Sequence, residues 1–177
     1  GQAQLATGDA PGAWATLAPL AASTLARPEI LEAAARAASA AEAPEAASLR
    51  ARLEPARLKA TMALVGQGEA AMARRDWQRA LSIYGQLLQQ GNDPEVLKRL
   101  AMASSKLGQT SQAIGYADRA AAIARDNPDF LFLAGLVRLN GRQDLAAARR
   151  LMESAAALDP RNPDIARELK KAKAATG

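Results

Sequence analysis

Four leucines mark the chain at a near-constant interval: Leu31, Leu64, Leu97 and Leu131 are separated by 33, 33 and 34 residues. Each is followed four positions later by a small residue, Ala35, Gly68, Ala101 and Gly135. Positions four apart share one helix face, so the pattern predicts helices that bury a large residue and let a neighbour approach one turn on. Five alanines keep the same beat, Ala13, Ala47, Ala80, Ala113 and Ala148, at intervals of 34, 33, 33 and 35. Pro28, Pro94 and Pro128 stand three residues before their leucines, and Pro163 continues the series. An acid follows each proline (Glu29, Glu95, Asp129, Asp164), and Asp93, Asn127 and Asn162 precede three of them. This is how a helix starts. The cap oxygen accepts a free backbone N–H, proline takes the first helical position where no donor is needed, and the acid meets the positive helix end. The series skips proline at Thr61. With Pro55 breaking the chain before it, residues 56–74 are predicted to run as one longer helix. Turn signals separate the paired helices at Thr7-Gly8-Asp9, Arg74-Arg75-Asp76, Leu107-Gly108-Gln109 and Asn140-Gly141-Arg142, with glycine suited to the left-handed position past a helix end. The pattern amounts to about ten helices and no strand.

The order Gly68, Trp77, Ala80, Tyr84, Leu87 resembles the tetratricopeptide repeat, a helix–turn–helix unit of about 34 residues with small residues where helices A and B touch. The next unit matches at Leu97, Leu100, Ala101, Gly108, Ala113, Ala117 and Ala120. The one after matches at Leu131, Ala134, Gly135, Gly141, Ala148, Met152, Ala155 and Pro160, with one or two extra residues in the Gly141–Leu145 turn. The unit from Pro28 to Glu54 keeps Ala35 and Ala47 but puts Glu54 where a small apolar residue is usual, and the family's tryptophan and tyrosine of helix A are absent throughout. The resemblance covers nearly the whole chain and is strongest over 61–160. It implies an all-α, right-handed α-solenoid. A partial repeat at 1–27 would precede repeats at about 28–60, 61–93, 94–127 and 128–162, and a charge-rich helix over 163–175 would cap the stack. Gly1 is expected to begin within a helix, with Leu5 and Ala6 facing a missing neighbour, as in a segment of a larger protein.

Composition fits close helix packing. Hydrophobic residues make up 49% and aromatics only 3%, and alanine, the best helix former, supplies much of the former. There is no Cys and no His, which removes disulfides, thiolate nucleophiles, imidazole bases and the usual zinc ligands. No cofactor and no metal are expected. The net charge of +5 is uneven: residues 1–54 carry 4 basic and 6 acidic side chains, residues 55–177 carry 19 and 12. The two signs are interspersed along the helices, so the excess is read chiefly as a solvated surface. No run of about 20 residues is apolar enough to span a membrane, and Gly1–Ala10 has no signal-peptide character.

Few residues offer chemistry. Gly66-Gln67-Gly68-Glu69-Ala70-Ala71 loosely fits a dinucleotide pattern, but that motif needs a preceding strand and a turn, whereas Gly68 belongs to a helix contact. Glu29/Glu32 and Glu42/Glu45 are three apart and would share a helix face, yet acids near helix starts are common and no nucleophile and base can be assembled. The chain is therefore read as no enzyme. Trp77 and Tyr84 are assigned to the packing between helices rather than to a partner.

The resemblance places partner binding in the concave groove lined by helices A. Its variable positions map to Glu32, Arg36 and Ser39; to Val65, Glu69 and Met72; to Lys98, Met102, Ser105 and Lys106; and to Phe132, Leu136 and Leu139. Phe132 and Leu136 could equally pack under the terminal helix. A surface of Met, Phe and Leu beside Lys suits a protein or peptide segment that is apolar along one side and acidic at its edge. The clamp that some family members use on C-terminal carboxylates is disfavoured, because all four asparagines fall at helix ends or turns. Nucleic acid is disfavoured because the six aromatic residues do not interleave with Lys/Arg. The expected function is a protein-binding scaffold. The Ala/Arg-rich composition suggests a bacterial source, and arrays resembling this one serve envelope assemblies such as exopolysaccharide export, secretion and pilus machinery, so periplasm or cell envelope is favoured over cytoplasm. The alternative is a polyanion-binding module over 55–177 for acidic polysaccharide or nucleic acid. Oligomeric state is left open.

Overall fold

The computed structural model describes residues 1–177 as ten α-helices with no strand. In chain order they are α1 (Gln2–Ala6), α2 (Ala10–Ala22), α3 (Pro28–Ala40), α4 (Ala46–Ala73), α5 (Trp77–Leu88), α6 (Pro94–Lys106), α7 (Thr110–Ile123), α8 (Pro128–Gly141), α9 (Leu145–Leu158) and α10 (Pro163–Thr176). No helix is long and apolar enough to cross a membrane. The chain divides into two compact units, Gly1–Ala63 and Leu64–Gly177, and the division falls inside α4.

Unit 1 packs α2, α3 and the first part of α4 around a core rich in alanine. Ala13, Leu17 and Ala21 of α2 meet Leu31, Ala34 and Ala38 of α3 and Leu49 and Leu53 of α4. Leu5, expected to be bare, packs against this core. Ala47 was expected at a helix contact and is exposed. Beyond the turn after α3, α4 begins four residues after the left-handed Glu42, against two for α5 after Arg75 and for α7 after Gly108; Ala46 takes the contact and the inward face runs Ala46, Leu49, Leu53, Ala56. The same turn contains Glu42, at φ 53°, and Glu45, so these two acids share no helix face. Pro55 does not break the chain either: α4 runs through it from Ala46 to Ala73. Proline there removes one donor, that to the Ala51 carbonyl, and both Ala51 and Pro55 are exposed.

Unit 2 continues as alternating helices. Asp93, Asn127 and Asn162 cap α6, α8 and α10 as the sequence predicts, accepting from the backbone N–H of Glu95 (2.8 Å), Asp129 (3.0 Å) and Asp164 (3.1 Å). Its interior forms two clusters. One joins Ala80, Ile83, Tyr84 and Leu87 of α5 to Ala71, Leu100 and Ala103. The other joins Leu97 and Ala101 of α6 and Ala113, Ala117 and Ala120 of α7 to Phe130, Leu133 and Val137 of α8. Leu131 is only half-buried because its neighbour Phe130 takes the interior place. Gly68 and Gly135 are close-contact glycines: a Cβ would lie 2.8 Å from the Tyr84 ring at the first and 2.9 Å from the Ala148 carbonyl oxygen at the second. α10 packs on α9 and buries Ile165, Glu168 and Ala172. Glu168 is held below the usual carboxylate range by the Lys171 ammonium at 2.8 Å, against the opposing effect of burial, with Arg167 assisting at 3.1 Å.

The turn between paired helices repeats as a backbone device. A left-handed residue recurs at Gly8, Glu42, Arg75, Gly108 and Arg142, spaced 34, 33, 33 and 34 apart. The next residue donates back to the helix, Asp76 to Ala71, Gln109 to Ser104 and Gln143 to Arg138, the long bond of a Schellman ending. Gly141 was expected to hold this position. It is instead the last residue of α8, where a Cβ would collide with the Thr110 side chain, and Arg142 takes the left-handed conformation. Asp144, also left-handed at φ 44°, is the extra residue of this turn.

Candidate partner-binding surface

In unit 2 the positions assigned to a binding surface lie on helices A at spacings of four and three, so each set faces one way. Val65 and Glu69 are exposed, while Met72 is half-buried against the α5–α6 core. On α6, Met102 and Lys106 are exposed and Lys98 and Ser105 half-buried. The Lys98 ammonium pairs with Glu95 at 2.7 Å and stands 5.4 Å from the centre of the Phe130 ring, tying α6 to α8 by a cation–π contact. On α8, Phe132, Leu136 and Leu139 are half-buried. Partly buried apolar side chains and two cations thus lie on the packed helices α6 and α8.

Glu69 is engaged within the protein. Its carboxylate accepts from the Tyr84 hydroxyl at 2.8 Å and from the Arg99 guanidinium at 2.9 Å. Arg99, and then Tyr84, hold Glu69 below the usual carboxylate range. Burial, and then the bond to Glu69, push the Tyr84 phenol up to about 12. Tyr84 is buried as expected, whereas Trp77, at the start of α5, is only half-buried. The sequence reading omitted Arg99 from the surface. Its signal was the interval from Glu69, 30 residues, which is one period less one helical turn. A second pair also joins two helices: Arg138 of α8 grips both carboxylate oxygens of Asp118 on α7, at 2.7 and 2.8 Å.

In unit 1, α3 carries Glu32, Arg36 and Ser39 on one face. Glu32 pairs with Arg57 at 2.9 Å. Ser39 accepts from Arg50 at 2.6 Å and donates to the Ala35 carbonyl at 2.7 Å. Arg36 alone is exposed, and with Ala40 it forms one wall of a cleft of about 530 Å³ closed by Gln2, Leu5 and Ala6 of α1. The Gly66–Ala71 segment lies within α4, where no strand and no phosphate-cradling turn exist.

Residues 71–135 match the family model of the tetratricopeptide repeat. Residues 71–135 carry tetratricopeptide repeat sequence. Solved tetratricopeptide structures share the helical architecture. The first such domain of human RPAP3 superposes with a TM-score of 0.61 at 20% identity, over 66% of this chain and 91% of that one. The Sgt2 domain from Aspergillus fumigatus gives 0.59 at 26% identity, over 64% and 76%. MamA (41-end) from Desulfovibrio magneticus RS-1 gives 0.61 at 19% identity, over 83% and 84%. No curated protein sequence matches the chain.

Proposed function

We propose that this tetratricopeptide chain is a non-catalytic scaffold that holds a segment of another protein on the A-helix face of unit 2. One observation carries the reading: Phe132, Leu136 and Leu139 are only partly buried on α8, which packs on α6, the helix that bears Met102, Lys98 and Lys106. Apolar burial there supplies affinity, and the cations orient an acidic edge and speed encounter. Similar folds hold segments of other proteins: the first tetratricopeptide domain of Spaghetti (RPAP3) is bound to an HSP90 peptide, SRMEEVD, and PcrH to the chaperone-binding region of PopD. Glu32, Arg36 and Ser39 contribute less, because two of the three are already engaged by arginines of their own unit. The setting proposed is a bacterial envelope assembly, in the periplasm or cell envelope. Fractionation of the native protein with the soluble cytoplasm would remove that part of the reading.

The test is a pair of double substitutions assayed by co-purification of the native partner. Met102→Glu with Lys106→Glu, both exposed on α6, abolishes capture while helicity and melting hold. Arg79→Glu with Arg150→Glu, exposed on helices α5 and α9, leaves capture intact. Equal weakening by both pairs would identify diffuse electrostatics and move a polyanion ligand ahead of a peptide.

A further inference from the structure

Away from the A-helix face, unit 1 has a groove of about 550 Å³ between the α2–α3 loop, the start of α3 and residues 51–63 of α4. Its apolar lining includes Leu25, Pro28, Leu31, Pro55 and Ala60. Leu25 is 81% exposed, the most exposed large apolar side chain in the chain, and stands at the rim. The only charged residues in the lining are Arg27, Arg52 and Lys59, all cationic. Arg52 is structural: its guanidinium donates to the carbonyls of Ala21 (2.8 Å) and Ser23 (2.6 Å) and holds the loop that forms one wall. Arg27 and Lys59 are exposed and free of any ion pair.

The origin of the groove lies in the repeat. Pro94, Pro128 and Pro163 each open a new helix A that packs on the helix before it. At the equivalent place, Thr61, there is neither a proline nor a capping residue, and α4 runs on without a turn. Unit 1 therefore contains no further helix to cover residues 51–63.

We propose that this groove is a second binding site, and that its occupant is an acidic amphipathic helix of a partner protein. Such a helix presents two or three large aliphatic side chains to the floor and carboxylates to Arg27 and Lys59. The alanine-rich side of α4 allows a helix backbone to approach closely, and the all-cationic rim selects acidic flanks. A second copy of this chain is a poorer occupant. The segment the repeat would supply, residues 61–73, carries a single acid, Glu69, already paired with Arg99.

The probe is a synthetic 12-residue helical peptide with leucines on one face, glutamates on the flanks and a central photo-crosslinking residue, used with the full 177-residue chain. It crosslinks within residues 24–63, and its affinity falls with added salt. Arg27→Glu with Lys59→Glu weakens binding at least ten-fold, moves the crosslinks out of 24–63, and favours the same peptide carrying lysines for glutamates. Leu25→Asp weakens binding as well, while Met102→Glu with Lys106→Glu leaves the 24–63 crosslinks in place. The proposal fails if crosslinks fall only on residues 95–139, if the charge reversal at Arg27 and Lys59 has no effect, or if sedimentation shows a dimer that this reversal dissociates, which would make a second copy the occupant. Circular dichroism matching the wild type confirms that the variants are folded.

Discussion

In unit 1 the helices meet across alanine: α3 buries five alanines and one leucine. In unit 2 the corresponding α6 buries Leu97 and Leu100, and α8 buries Phe130, Leu133 and Val137. The helix starts differ too. Arg27 opens α3 with no side-chain cap, whereas Asp93, Asn127 and Asn162 each cap a helix of unit 2. Between its helices unit 2 adds Glu69–Arg99 and Asp118–Arg138, while unit 1 has Glu32–Arg57. Apolar burial stabilises by about 25 cal/mol per Å², so larger side chains give unit 2 the greater share, and its caps add about 1 kcal/mol each. Unit 1 is expected to open first. The residues that strengthen unit 2 are also those that make its repeat recognisable, and the family match over 71–135 lies wholly inside it.

The largest effect tests that ranking. Leu97 is fully buried, and Leu97→Ala is expected to destabilise unit 2 by about 2–5 kcal/mol. In native-state hydrogen exchange the amides of α3 exchange before those of α6 in the wild type, and Leu97→Ala narrows or reverses the order. If α6 exchanges first in the wild type, the comparison is inverted.

Next is a pair that sets packed alanine against exposed alanine. Ala113 is 1% exposed between α6 and α8, while Ala47 faces solvent. Ala113→Leu is expected to cost about 1–3 kcal/mol by overpacking, and Ala47→Leu to change stability by less than about 0.5 kcal/mol. Equal shifts in thermal midpoint would contradict the one-residue offset of α4.

This offset shows where the sequence stops being readable. Proline, cap and acid act within four residues, so Asp93-Pro94-Glu95 and its equivalents announce their helices locally. Ala46 and Ala47 are chemically the same, and only the geometry of the preceding turn decides which faces inward. Pro55 was misread because the exposure of Ala51 and Pro55, where a lost helical bond is tolerated, is a tertiary fact. Glu42 and Arg142 hide the left-handed turn that Gly8 and Gly108 advertise, since their own chemistry disfavours it. Of the candidate surface, the helix faces were legible from spacing. The ties that occupy Glu32, Ser39 and Glu69 were not, because each bond joins different helices, and exposure had to be seen.

Tyr84 provides a smaller test. Tyr84→Phe removes its bond to Glu69 and is expected to cost about 1 kcal/mol. Because the folded state raises the phenol to about 12, its contribution is intact below the unfolded value of about 10 and is lost as pH rises between the two. The wild-type melting advantage over Tyr84→Phe therefore shrinks across that alkaline window. Glu69 has the opposite sign. Its lowered pKa makes its contribution full above 4.5 and lost as pH falls below it. An advantage that persisted unchanged above pH 12 would show that the hydroxyl is not held as described.

The smallest effect isolates a single backbone torsion. Arg75 and Gly108 occupy the same step of the repeat at φ 59° and 75°, each followed by a residue that closes the turn. The left-handed conformation costs a side-chain-bearing residue about 1–2 kcal/mol and glycine almost nothing. Glycine also gives the unfolded chain more freedom, which takes back part of that gain. The balance favours Arg75→Gly by about 0.5–1 kcal/mol, and it disfavours Gly108→Arg by at least as much. No salt bridge interferes, since Arg75 is exposed and forms none. The measurement is the thermal midpoint of each variant in the same buffer. If Arg75→Gly lowers the midpoint, the five recurring turns are not equivalent, and the left-handed step cannot be the element that carries the period through both units.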